Sequence, residues 1–216
     1  MAEILIYDDI GPEWLGMVSA KGIVDELAKI GDDKPLTVRI NSPGGSVTEA
    51  QAIYNAIARR SGETLVKIDG LAASAASYIM LAGDKIEIAE NGMVMIHKAW
   101  SYAIGNADEM RNSAAVLDKF DDILLSAYVA RSGGKCSRDE LSQAMADETW
   151  LNATEAKEWG LVDEIGQPLK VAACVSPGRF AKAPPELLNP EAAAEARQRR
   201  QEALKNRLRL LKAKST

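Results

Sequence analysis

The chain has 216 residues, 47% of them hydrophobic, and a formal net charge of −5. That length and apolar content suit one folded domain with a sizeable core, and they exclude a chain disordered throughout. The charge is uneven, because from residue 183 onward Glu186, Glu191, Glu195 and Glu202 stand against eight arginines and lysines; the tail carries a net +4 and the remainder a net −9, and an acidic body argues against a nucleic-acid-binding core.

Cys136 and Cys174 lie far apart and make no metal-ligand spacing, the pattern of free thiols in a reducing compartment. The first residues have no basic segment followed by an apolar run of signal length. Nothing later approaches the ~18 continuous apolar residues of a membrane span. The expectation is a cytoplasmic chain without a membrane partner and without a metal.

Taken in order, residues 3–7 (EILIY) read as a strand followed by turn chemistry at Asp8, Asp9, Gly11 and Pro12. Ser19 caps a helix with Ile23, Val24, Leu27 and Ile30 at helical spacing, and Gly31 stops it. Residues 36–40 (LTVRI) form a strand that runs into Asn41, Ser42, Pro43, Gly44, Gly45 and Ser46. Ser46 and Glu49 predict a capping box for the next helix, whose apolar face is Ala50, Ile53, Tyr54 and Ile57.

The stretch from Leu65 to Gly83 reads as a strand ending at Asp69 and Gly70, a tight turn, and an Ala-rich helix with Ser74 at its mouth. The first amides of a helix lack intrahelical partners and carry partial positive charge, so an oxyanion formed at Ser74 would be stabilised there. A serine capping a buried helix is the plainer alternative. Two short strands follow, residues 85–88 and 93–97, and the second ends at His97. It is the only histidine in the chain, so any serine mechanism with an imidazole base must use it.

A long helix is predicted from Asn106 to Gly133, with Met110, Ala114, Leu117, Leu124 and Tyr128 in register. Ser137 with Glu140 predicts a second capping box, and Asn152 caps a third short helix stopped by Gly160. A strand over 161–165 closes the pattern. Three segments result: a folded domain over 1–166, an irregular Pro-bearing linker over 167–189, and a charged helical tail over 190–216.

Residues 41–47 (NSPGGSV), 70–74 (GLAAS), 95–97 (MIH) and 150–163 (WLNATEAKEWGLVD) agree in type, order and separation with one family. Together they resemble the proteolytic subunit of the Clp proteases and, among its relatives, the head maturation proteases of tailed phages. The resemblance spans about residues 3–165. It implies an α/β ClpP/crotonase-like fold of repeated β-β-α units with a protruding interface helix, assembled as a homo-oligomeric ring.

By that resemblance Ser74 is the nucleophile, His97 its base, and the amides of Gly45 and Ala75 form the oxyanion hole. The family's third residue is an aspartate three positions before the leucine matching Leu151, where this chain has Glu148, with Asp147 beside it. Either carboxylate suits the role of orienting an imidazole, and the ungapped register favours Glu148. Ala75 and Ala76 replace the family's Met-Gly, and the segment ahead of the first strand is short, which weakens docking of an unfoldase ATPase. No phosphate-binding loop is present.

The function so implied is an ATP-independent serine endopeptidase that needs no cofactor. It would cleave scaffold and capsid proteins during phage head maturation, in the host cytoplasm or the assembling prohead. The alternatives are a cellular Clp-type subunit fed by an ATPase, a Ser-Lys peptidase using Lys85 or Lys98, an acyl-CoA-handling crotonase, and a catalytically silent ring-forming protein.

Overall fold

The computed structural model describes residues 2–169 and 175–188; the tail read as helical over 190–216, and Cys174, lie outside the described residues. The backbone is mixed α/β. Its strands are β1 (Ala2–Tyr7), β2 (Leu36–Ser42), β3 (Thr64–Ala73), β4 (Lys85–Ala89), β5 (Met93–Ile96), β6 (Thr149–Asn152) and β7 (Glu164–Gly166). Its helices are α1 (Ala20–Ile30), α2 (Val47–Ala58), α3 (Ala75–Ile79), α4 (Ala107–Ser132), α5 (Arg138–Ala146) and α6 (Ala153–Glu158).

The sheet runs β1-β2-β3-β4-β7, all parallel. Period-two alternation gives it two unlike faces. Ile4, Ile6, Val38, Ile40, Val66, Ile68, Ile86 and Ile88 are buried on one, under the helices. Arg39, Lys67 and Glu87 lie on the other, where Lys67 and Glu87 form an ion pair at 3.1 Å.

The turn expected at Asp69 and Gly70 is not a turn. β3 continues through both residues to Ala73, and its register against β2 shifts, with Ile40 opposite Ile68 but Ser42 opposite Ala72. This bulge lets one strand serve two sets of neighbours: residues 65–68 pair with β4, and residues 71–73 pair with β5, which in turn pairs antiparallel with β6. The bulge is pinned by Asp69, only 1% exposed, whose carboxylate takes a bidentate bond from Arg39 (Nε to Oδ2 2.7 Å, Nη2 to Oδ1 2.6 Å) and a third bond from the Tyr7 hydroxyl. Burial, and then that bond to Asp69, raise the Tyr7 phenol above its ordinary value.

The helix caps follow local chemistry in most places. Ser19 caps α1, and Asn106, Ser137 and Asn152 each complete a capping box, with Glu109, Glu140 and Glu155. At α2 only half of the expected box forms. Ser46 Oγ accepts from the Glu49 amide at 3.3 Å, but the Glu49 carboxylate accepts instead from Ala20 N at 2.6 Å and so serves the start of α1, while Ser46 N donates to Ile10 O. α3 is five residues long and continues as a 3-10 turn, so the Ala-rich helix is shorter than its composition predicts. The last strand is shorter as well, beginning at Glu164, while Leu161 and Val162 are buried before it.

α4 spans 26 residues, yet its buried positions are Leu124, Leu125, Tyr128 and Ser132, all in its C-terminal half. The first half stands clear of the body, with Met110 and Val116 exposed, and the loop before it exposes Trp100, Tyr102 and Ile104.

Removing one member of a buried ion pair costs about 3–5 kcal/mol, and Arg39 retains 27% exposure and a second acid, Glu3, at 3.6 Å. Asp69→Ala is therefore expected at the lower end of that range, about 3 kcal/mol, measured as a lowered midpoint of urea unfolding against wild type.

Candidate functional site

Sheet register brings the first two residues together. Ala73 pairs with Met95, so β3 and β5 run side by side and release Ser74 and His97 just beyond the rung, where Ser74 N still donates to Met95 O at 2.9 Å. Ser74 Oγ and His97 Nε2 are 2.7 Å apart. Ser74 is the N-cap residue of α3, but its side chain makes no capping bond, which removes the plain capping explanation. Its backbone, at φ 55 and ψ −124, occupies a region that L-residues rarely adopt.

Ser77, one turn further on, is no substitute nucleophile. It is fully buried, and its hydroxyl donates to Ser74 O at 2.6 Å and meets the buried Tyr128 hydroxyl at 2.7 Å. The candidate lysines are also placed elsewhere. Lys85 pairs with Glu164 at 2.7 Å, and Lys98 lines a separate pocket with Asp118, Asp121 and Asp122.

The Pro-Gly-Gly loop lies directly against Ser74. A Cβ on Gly44 (φ 84) would come within 2.5 Å of Ala73 O and 2.8 Å of Ser74 Cβ, and one on Gly45 (φ 153) within 2.0 Å of Ile10 O. A parallel bridge holds the loop, with Ile10 N donating to Gly44 O and Ser46 N to Ile10 O, both at 2.9 Å. The bridge leaves the Gly45 amide unused, and Gly45 lines a cavity of about 430 Å³ together with Ser74 and His97. Ala75 is buried at the start of α3.

The two acids differ. The antiparallel β5·β6 ladder ends with Ile96 facing Thr149, so the backbone of Glu148 follows the rung opposite His97, but its carboxylate bonds other groups and not the imidazole. Glu148 has a left-handed backbone, φ 53. Its carboxylate accepts from Ala181 N at 2.9 Å, Lys182 N at 2.6 Å and Trp150 Nε1 at 3.3 Å. Asp147 is exposed, accepts from Gln143 Nε2 at 2.8 Å, and lies 3.8 Å from Lys182 Nζ.

The segment read as an irregular linker supplies residues that belong to none of the motifs. Ser176, Pro177, Gly178, Arg179 and Phe180 line the cavity opposite Gly45 and Val47. The Phe180 ring meets His97 edge-on at 5.5 Å and Trp150 at 5.6 Å, and Arg179 pairs with Asp9. One signal was available: a buried-type aromatic, one of only two phenylalanines in the chain, in a stretch otherwise rich in turn residues.

Burial is the main cause that holds the His97 imidazole below its ordinary value of 6.5; the nearby Glu148 charge pulls it up, and Arg179 pushes it down. A neutral imidazole accepting the Ser74 proton at Nε2 carries its own proton on Nδ1. Among the described residues no cluster of His, Cys, Asp and Glu could hold a metal ion, and no helix is long and apolar enough to cross a membrane.

A family model described as Clp protease matches residues 13–168. Two relatives carry the name ATP-dependent Clp protease proteolytic subunit. That of Chlorella vulgaris is 33% identical over 69% of this chain and 74% of its own, and that of Bacteroides fragilis 32% identical over 64% and 67%. Among solved structures, a point mutant of ClpP1 from Listeria monocytogenes superposes with a TM-score of 0.66 at 27% identity, covering 76% of this chain and 91% of the other. The fold is thus the ClpP-like mixed α/β fold.

Because the chain has one histidine, NMR titration reads His97 without ambiguity. Its midpoint is expected below 6.5, lower still in Glu148→Gln, which removes the upward pull, and higher in Arg179→Gln, which removes the downward push. The charged imidazole is disfavoured in the fold, so stability is expected to fall as pH drops below the unfolded-state value.

Proposed function

Since the chain belongs to the Clp protease family of serine peptidases, we propose that it is a Clp-type serine endopeptidase subunit in which Ser74 attacks the scissile carbonyl and His97 moves the proton. The observation that carries this reading is the 2.7 Å approach of Ser74 Oγ to His97 Nε2 on a residue with no capping role. His97 takes the hydroxyl proton as the tetrahedral intermediate forms and returns it to the leaving amine. The acyl ester on Ser74 is then hydrolysed by a water that His97 deprotonates. The amides of Gly45 and Ala75 receive the oxyanion, a contribution typically worth about 10²- to 10³-fold per donor. α3 is too short for a large dipole, so these local N–H groups carry the effect. Glu148, opposite His97, stabilises the imidazolium.

The relatives named above are cellular proteolytic subunits, which favours a Clp-type subunit over the head-maturation role suggested by the sequence resemblance. Their names call them ATP-dependent, and on this reading an unfoldase ATPase delivers folded substrates while short peptides enter unaided. The exposed first half of α4, with Trp100, Tyr102 and Ile104 beside it, is the surface on which copies of the chain assemble.

Wild-type protein is expected to cleave a fluorogenic peptide and to be labelled by a fluorophosphonate at Ser74. Ser74→Ala should lose both and retain its assembly state by light scattering. His97→Ala should lose as much activity as Ser74→Ala, and the double variant no more, since residues of one proton-transfer unit are not additive. Peptide cleavage retained by purified Ser74→Ala would refute the assignment.

A further inference from the structure

Residues 175–188 form a strap that closes on itself. Val175 donates its amide to Leu187 O at 3.0 Å, and Val175, Phe180 and Leu187 are buried against Leu71, Ala73 and Met95 beneath the reacting pair. Just past Phe180 the strap spends two consecutive amides on one acceptor, the Glu148 carboxylate: Ala181 N to Oε2 and Lys182 N to Oε1. Three hydrogen bonds thus fix that carboxylate, and two of them come from a segment more than thirty positions away in sequence.

A glutamate has one more rotatable bond than the aspartate of the family pattern, so it needs more outside help to hold one position. Hydrogen bonds to a charged acceptor are about twice as strong as neutral ones, and two from adjacent amides fix both oxygens. Because the donors are backbone groups, the device leaves no trace in the side chains at 181 and 182.

We propose that the strap is a positioning element of the reaction: the amides of Ala181 and Lys182 fix the carboxylate of Glu148, whose backbone follows the rung opposite His97, and the peptidase unit extends to residue 188. The proposal rests on the Ser74–His97 reading above. It assigns the strap no proton and no bond to substrate. Its effect reaches the chemistry through Glu148 and the imidazole.

The test compares two substitutions at one position in the full chain. Lys182→Pro removes the N–H; Lys182→Ala keeps it and removes only the ammonium that donates to Asp147 O at 2.5 Å. On a fluorogenic peptide Lys182→Pro should lose about tenfold or more in kcat against Lys182→Ala, with KM little changed. The Lys182→Pro variant should also lower the His97 midpoint by NMR and add no further loss to Glu148→Gln. Phe180→Ala, which keeps both amides but loosens their anchor, should lower kcat the same way and covers the event that the proline variant misfolds by circular dichroism; its midpoint also carries the burial lost with the ring. A Lys182→Pro variant as fast as Lys182→Ala or faster than wild type, or losses that multiply with Glu148→Gln, would overturn the proposal. Fluorophosphonate labelling separates the two readings: a labelled wild-type Ser74 with a Lys182→Pro variant as active as Lys182→Ala rejects the strap alone, and an unlabelled wild type rejects the nucleophile and the strap with it.

Discussion

Asp69 takes a carboxylate into the interior of the sheet, and the paired state of that carboxylate is what permits β3 to change partners. Tyr7, Arg39 and Asp69 sit on three neighbouring strands, so the cluster ties β1, β2 and β3 together at the rung where the register slips. Below that rung β3 belongs to a parallel sheet; above it the same strand lies beside β5 and delivers Ser74 next to His97. An unpaired carboxylate there would be too costly to bury. The ion pair therefore belongs to the geometry of the site, although it lies outside the cavity.

Two L-residues of the site, Ser74 and Glu148, have positive φ. Such conformations cost about 1–3 kcal/mol each and persist where surrounding bonds fix them. At Ser74 those bonds are Ser74 N to Met95 O and the Ser77 contacts to Ser74 O, backed by Tyr128 on α4. At Glu148 they come from the side chain, through Trp150 and the strap. Strain at these two positions is thus held by different parts of the chain.

What could be read from sequence follows the range of the interactions. Caps at Ser19, Asn106, Ser137 and Asn152 depend on neighbours three residues away, and they form as their residue types predict. Glu49 has the right spacing for a box, but an amide of another helix takes its carboxylate, an outcome set by packing. Gly70 looked like a turn because a bulge needs the same residue type, and only the pairing of residues 71–73 with β5 tells the two apart. Ser74 and His97 were legible as residue types within motifs, whereas their proximity depends on strand register. The role of residues 175–188 was hidden because their partners, Leu71, Ala73, Met95 and Glu148, are remote and the segment has no periodicity.

The loop at Gly44 and Gly45 bears on how relatives of this chain are able to diverge. At both positions any β-carbon meets backbone atoms, Ala73 O and Ala75 N in one and Ile10 O in the other, and both also hold positive φ. Backbone neighbours cannot step aside as a flexible side chain does, so no compensating substitution nearby makes room. Variation in what the cleft accepts must then arise on its other walls, at Val47, Ala99, Trp100, Ser176 and Pro177, whose side chains do not pack on the loop's backbone.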